Sequence, residues 1–243
     1  MKQTPGKIFL ADQRGFTETA QFRRYSTFNF EDYKQANKEP FGNLYGFNEE
    51  LLAGSQSLNF AVDQATHVIL IPVTGGINFV HADGNNTVVE VEDILINTLP
   101  ANTSFQIVNP YEKEVITFLQ IWIKAEQAIN TNSFHLFNFN LSQNQLTGIV
   151  ARDKAVSTAV KLPFSISIGR FDGREEVIYT LKSKDSGFFA FVIAGAFEIE
   201  GRLMHEKDGL ALWDTEEVEL EALSNSALVL VTEIKNIAPQ KLQ

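Results

Sequence analysis

Residues 58–91 read LNFAVDQATHVILIPVTGGINFVHADGNNTVVEV, and this stretch decides the fold class. It holds four short apolar or alternating runs, Leu58–Val62, His67–Val73, Gly76–Val80 and Thr87–Val91. They carry β-branched and aromatic residues and are long enough for strands but too short for helices. Turn-forming residues separate them, at Gly75-Gly76 and at Asp83-Gly84-Asn85-Asn86. The same texture continues outward. Upstream lies Ile8–Leu10; downstream lie Asp93–Leu99, Ser104–Val108 and Val115–Ile123, with turns at Leu99-Pro100 and Asn109-Pro110. No segment between residues 55 and 123 sustains helical periodicity. Strand-to-strand steps of roughly 8–12 residues predict an antiparallel sandwich or small barrel.

The second half repeats this style. Phe134–Phe139 reads as a strand and the polar stretch Asn140–Gly148 as a surface connection, with Val150–Asp153 leading into a second domain. Further strands are expected at Phe164–Phe171, Glu176–Leu181, Phe188–Gly195, Ala196–Ile199, Leu210–Trp213, Glu217–Ala222 and Ala227–Glu233, followed by a tail. Glu217–Ala222 alternates acidic and apolar residues, the mark of a half-buried strand. Both halves place a Gly after a hydrophobic strand (Gly75, Gly195) and an Asp-Gly turn later (Asp83-Gly84, Asp208-Gly209). An all-β chain of two similar units follows, divided into residues 1–129 and 130–243.

Composition excludes several function classes. Acidic residues outnumber basic ones, 30 to 20, for a formal net charge of -10, which opposes direct nucleic-acid binding. There is no cysteine, so disulfides, thiolate metal sites and Cys nucleophiles are excluded. Met1–Arg14 lacks the apolar run of a secretion signal. Val68–Val73, the longest apolar run of the first half, is far short of a membrane span. A cytoplasmic, non-membrane protein is the expectation. No Gly-rich phosphate loop or Gly-x-Ser-x-Gly elbow is present.

Several stretches together resemble the pirin-like bicupin family. They are Ser26-Thr27-Phe28-Asn29-Phe30-Glu31-Asp32-Tyr33, Phe41-Gly42-Asn43-Leu44 and Asn48-Glu49-Glu50-Leu51-Leu52-Ala53-Gly54, then Asn109-Pro110 leading to Leu119-Gln120-Ile121-Trp122-Ile123, and Asp208-Gly209-Leu210-Ala211-Leu212-Trp213-Asp214. The resemblance spans roughly residues 7 to 233. It implies two tandem cupin (jelly-roll-like) β-barrels with an N-terminal arm. It also implies, for typical members, one divalent metal, often iron, in the first barrel, held by a His-x-His pair and a later His-x-Glu pair. Some members resemble quercetin dioxygenases; others are described as co-regulators of transcription.

This chain departs from that pattern at the metal. Counting from Gly75, the first pair falls on Ala61 and Asp63; counting from Asn109-Pro110, the second falls on Phe105 and Ile107. Only Asp63 carries a donor. A one-residue slip substitutes Val62, Gln64, Ser104 and Gln106, again without histidine. No metal or other cofactor is therefore expected.

Of the four histidines, His67 shares a face with Asp63 if the strand runs on through Ala65, so Asp63, His67, Phe105 and Gln106 form the pocket candidate, with Asp63 and His67 the sole catalytic candidates. His81 reads as a surface hairpin residue, His135 as structural, and His205 as a hairpin residue of the second barrel. Arg14-Gly15 and Arg23-Arg24-Tyr25 are expected to pair with Glu216, Glu217 or Glu219. Tyr179, Phe188, Phe189 and Trp213 read as core.

The function expected is a monomeric bicupin without its metal centre that binds a small apolar ligand or a protein partner. The alternatives are a quercetinase-like dioxygenase on a relocated site and a regulatory protein-binding module.

Overall fold

The computed structural model describes residues 3–81, 84–152 and 162–235. Asp83, Asp153 and the expected tail beyond residue 235 lie outside the described residues.

In chain order the strands are β1 (Gly6–Phe9), β2 (Gly15–Glu18), β3 (Phe22–Ser26), β4 (Leu44–Leu52), β5 (Ser57–Val62), β6 (Thr66–Thr74), β7 (Ile77–Val80), β8 (Asn86–Val89), β9 (Asp93–Leu99), β10 (Thr103–Val108) and β11 (Ile116–Lys124). They continue with β12 (Ser133–Asn138), β13 (Gln145–Val150), β14 (Phe164–Phe171), β15 (Glu176–Thr180), β16 (Gly187–Ala194), β17 (Phe197–Ile199), β18 (Arg202–Met204), β19 (Gly209–Leu212), β20 (Glu217–Ala222) and β21 (Ala227–Ile234). Among the described residues the one helical turn is 3-10, at Ala11–Gln13. The chain is all-β, with two cupin-like units.

Arg14–Phe139 form one compact unit, the first barrel. Its seven-stranded sheet runs β12-β9-β6-β11-β4-β3-β2 and its four-stranded sheet β5-β10-β7-β8. The core between them draws Leu52, Val68, Leu70, Leu95, Phe118 and Trp122 from the larger sheet, and Leu58, Phe60, Val62, Phe79, Phe105 and Ile107 from the smaller.

Met1–Gln13 with Asn140–Gln243 form the other unit, the second barrel. Its sheets run β1-β19-β16-β21-β14-β13 and β15-β20-β17-β18. Strands β4 to β11 and β14 to β21 occur in the same sheet order, so the symmetry suggested by Gly75 and Gly195 is a duplication of topology. Both glycines adopt left-handed backbone, φ 73° and 78°. A Cβ at Gly75 would lie 2.6 Å from Ile116 Cγ2, and one at Gly195 would lie 2.4 Å from Ser224 Oγ. Glycine is thus required by both conformation and space.

The edge strands place the contact boundary differently from the sequence reading, at Phe139/Asn140 instead of 129/130. Strand β12 pairs with β9 and so extends the first barrel. Strand β1 pairs with β19, the second barrel's counterpart of β9. Thr4 Oγ1 also donates to Glu200 Oε2 at 2.8 Å, and the Ala11 amide donates to Asp208 Oδ1 at 2.7 Å. Hydrogen-bonding demand at a sheet edge decides these placements, and sequence order does not reveal it. The stretch Asn140–Gly148, read as connection, contains the start of β13, which pairs with β14.

Candidate functional site

The first barrel has two unlike inner walls. On the four-stranded sheet, alternation along β5 turns Leu58, Phe60 and Val62 inward and leaves Asn59 and Ala61 exposed. Strand β10 pairs Phe105 with Phe60 and Ile107 with Leu58, so these four share the inner face. The Phe60 and Phe105 rings stack at 5.3 Å, Phe105 and Phe79 stack at 5.1 Å, and Trp122 lies 6.1 Å from both Phe60 and Phe105. Packed rings occupy this wall.

Ala61 and Asp63 face solvent, and the inward residues of β5 are Phe60 and Val62. Phe105 and Ile107 do point inward, as expected. The inward wall is hydrocarbon and offers no donor to a metal, and the one donor among the counted positions, Asp63, is exposed. Among the described residues, no group of three or more His, Asp or Glu is placed to hold an ion. The residues present do not fit the metal centre that the resemblance implies.

The pocket candidate is dispersed. Strand β5 ends at Val62 and β6 starts at Thr66, so Asp63 and His67 are not on one continuous strand. Core residues Val68 and Leu70 define the inner face of β6, and His67 lies on its other face. There His67 Nδ1 meets Thr98 Oγ1 at 2.8 Å, and burial lowers its pKa to about 4, so the ring is neutral. Gln106 also lies on an outer face, donating from Nε2 to Asn59 Oδ1 at 3.0 Å. With Phe105, Ala61, His81 and Ser104 it lines an open depression of about 470 Å³.

His81 is buried, against the expectation of a surface position. Its Nε2 meets Thr87 Oγ1 at 2.8 Å, and its ring lies 4.6 Å from that of Phe134. Burial lowers the pKa of His135, and His205 is exposed.

The opposite wall is polar, and sequence reasoning assigned it no role. Strand β4 places Gly46, Asn48, Glu50 and Leu52 on one face, and β11 pairs Trp122, Gln120, Phe118 and Ile116 with them in turn. Strand β3 sets Arg24 opposite Glu50. Arg24 Nε donates to Glu50 Oε1, and its Nη1 donates to the half-exposed Glu31. The guanidinium lies 5.3, 5.1 and 5.2 Å from the ring centres of Phe22, Phe30 and Phe60. Such faces favour a delocalised cation.

Gln120 completes the network when its amide is oriented by its neighbours. Its nitrogen then donates to Glu50 Oε1 at 3.2 Å, and its oxygen accepts from Trp122 Nε1 at 3.2 Å. Burial raises the Glu50 pKa to about 7, although the Arg24 charge and hydrogen bond pull it down. Glu50 Oε2 and both amide atoms of Asn48 have no hydrogen-bonding partner, and neither do the amide atoms of Asn97 on the inner face of β9. The basic residues pair within the first barrel, Arg14 with Glu49 at 3.0 Å and Arg23 with Glu18. The signal for this wall was readable: polar residues at alternate positions beside inward apolar ones, as in Asn48-x-Glu50-x-Leu52.

The second barrel has a buried acidic centre at Glu233. Glu233 Oε1 accepts from Arg152 Nη1 at 2.8 Å and from the Lys182 amide at 3.1 Å, while Oε2 accepts from Tyr179 at 3.0 Å. Burial raises the Tyr179 pKa. Phe188 is core, with Tyr179 packed against it; Phe189 and Trp213 are buried outside that cluster.

Two units of the same strand order, the first with a hydrocarbon inner wall on β5 and β10, define a bicupin-like fold. Residues 149–234 match the family described as Quercetinase C-terminal cupin domain. Over 222 residues the chain is 21% identical to a quercetin 2,3-dioxygenase of Escherichia coli K12, covering 90% of this chain and 95% of that protein. The crystal structure of YhhW from Escherichia coli superposes with a TM-score of 0.85 at 18% identity, covering 96% of this chain and 99% of that one. The nickel(II) complex of the same bacterial pirin gives 0.84 at 19% identity, covering 96% and 100%. In fold, the chain is similar to the bacterial pirin YhhW along nearly its whole length.

Proposed function

We propose that this protein works by binding, as a pirin-like bicupin without a metal centre, and that its partner is a small apolar molecule or another protein. One observation carries the reading. Every inward side chain along the buried stretch of β5 and β10 is hydrocarbon, namely Leu58, Phe60, Val62, Phe105 and Ile107. Ring edges can hold an apolar ligand but cannot ligate iron, nickel or manganese.

The competing reading is a flavonol-cleaving dioxygenase on a relocated site. The relationship to the Escherichia coli enzyme favours it. The donors it would recruit, Asp63 and His67, do not converge: one is exposed, and the other is turned away from the barrel core.

Elemental analysis of purified protein, after incubation with iron, nickel, manganese and copper in turn, tests the choice. Well under one metal per chain and no quercetin turnover are expected. One tightly bound metal per chain, lost in Asp63→Ala or His67→Ala, would reverse the conclusion.

A further inference from the structure

We propose that the first barrel contains a buried binding site for a small neutral hydrogen-bonding molecule, formed by the Asn48 amide and the Glu50 carboxyl on β4. The site is distinct from the ring-filled wall of β5 and β10, and it does not rest on the binding role proposed above.

Strand register brings the groups together. Asn48 and Glu50 lie on the same face of β4 as the core residue Leu52, and both are 0% exposed. Arg24 and Gln120 account for Glu50 Oε1. Glu50 Oε2, Asn48 Oδ1 and Asn48 Nδ2 are left over. Such atoms are costly when buried dry, and native proteins satisfy them with ordered water or ligand. The second barrel supplies the contrast. There the buried Glu233 is bonded through both oxygens by Arg152, Lys182 and Tyr179. The protein alone can satisfy a carboxylate inside this fold, and in the first barrel it does not.

The free atoms define the ligand. Asn48 presents a donor and an acceptor; Glu50 Oε2 accepts when ionised and donates when protonated. A cation would meet the Arg24 guanidinium beside Glu50, and an anion would meet the carboxylate. A neutral molecule with both donor and acceptor fits, either water or the carboxamide or hydroxyl head of a small organic molecule.

The test is an atomic-resolution crystal structure of the full chain, grown with and without acetamide as the probe, together with melting curves of Asn48→Leu. Density within hydrogen-bond distance of Asn48 and Glu50 Oε2 is expected. Exchange of that density for acetamide identifies an organic head group, and water in both crystals identifies water as the occupant. Asn48→Leu should melt lower than the parent. A dry site in both crystals, or a melting point raised by Asn48→Leu, overturns the proposal. The metal assay leaves this outcome untouched, so the two readings fail separately.

Discussion

Glu50 shows how one buried group links structure to solution behaviour. Burial lifts its pKa from 4.5 to about 7. The native state therefore holds a proton that the unfolded chain has already released over that interval. Its contribution to stability is complete below about 4.5 and is lost as pH rises through about 7. Urea unfolding at pH 5 and pH 8 should show this loss in the parent and a flatter response in Glu50→Gln; equal responses would show that Glu50 is ionised throughout. At pH 8, Arg24→Ala strands the carboxylate without its cation, at an expected cost of about 3–5 kcal/mol. The same substitution should cost less at pH 5, where the proton replaces the cation. None of this was legible from the residue types alone. Arg24 read as part of a basic cluster expected to pair with Glu216, Glu217 or Glu219, and the register of β3 on β4 turns it against Glu50.

At the scale of elements, alternation was the reliable guide. Asp93–Leu99, Phe164–Phe171 and Glu217–Ala222 form with the expected bounds, because buried apolar side chains recur along all three, strictly on one face in Glu217–Ala222. Strand β4 was not among the expected strands, and Asn48-Glu49-Glu50 in its centre breaks the apolar alternation. Its acids are buried because Arg24 and Arg14 pair with them from β3 and from the start of β2. Strand β10 carries the packing test of the apolar wall. Phe105→Ala removes a ring stacked on both Phe60 and Phe79, so a loss of about 3–5 kcal/mol is expected from chemical denaturation. A loss under about 1 kcal/mol would mean that the wall is loosely filled and that an apolar ligand has room there without rearrangement.

At the scale of the whole molecule, the duplication organises everything else. Strands β12 and β1 occupy equivalent edges, beside β9 and β19, but they come from distant parts of the chain. Deleting residues 1–10 removes β1 and exposes the β19 edge. The deletion should lower the melting temperature and promote association through the bared strand, read by light scattering; an unchanged melt and a monodisperse sample would show that β1 merely decorates the sheet. The sequence by itself determined the all-β class, the duplication, and the absence of histidine at the counted positions Ala61, Asp63, Phe105 and Ile107. Those features rest on residue type and local period, which the chain carries without reference to its fold. Tertiary structure decided which residues share the barrel interior: Phe60 and Val62 in place of Ala61 and Asp63, His67 turned away, and Arg24, Asn48, Glu50 and Gln120 brought onto one wall. The reason is the two-residue period of a strand. A shift of one position reverses every side chain, and only cross-strand pairing over long sequence separations fixes which way each one points.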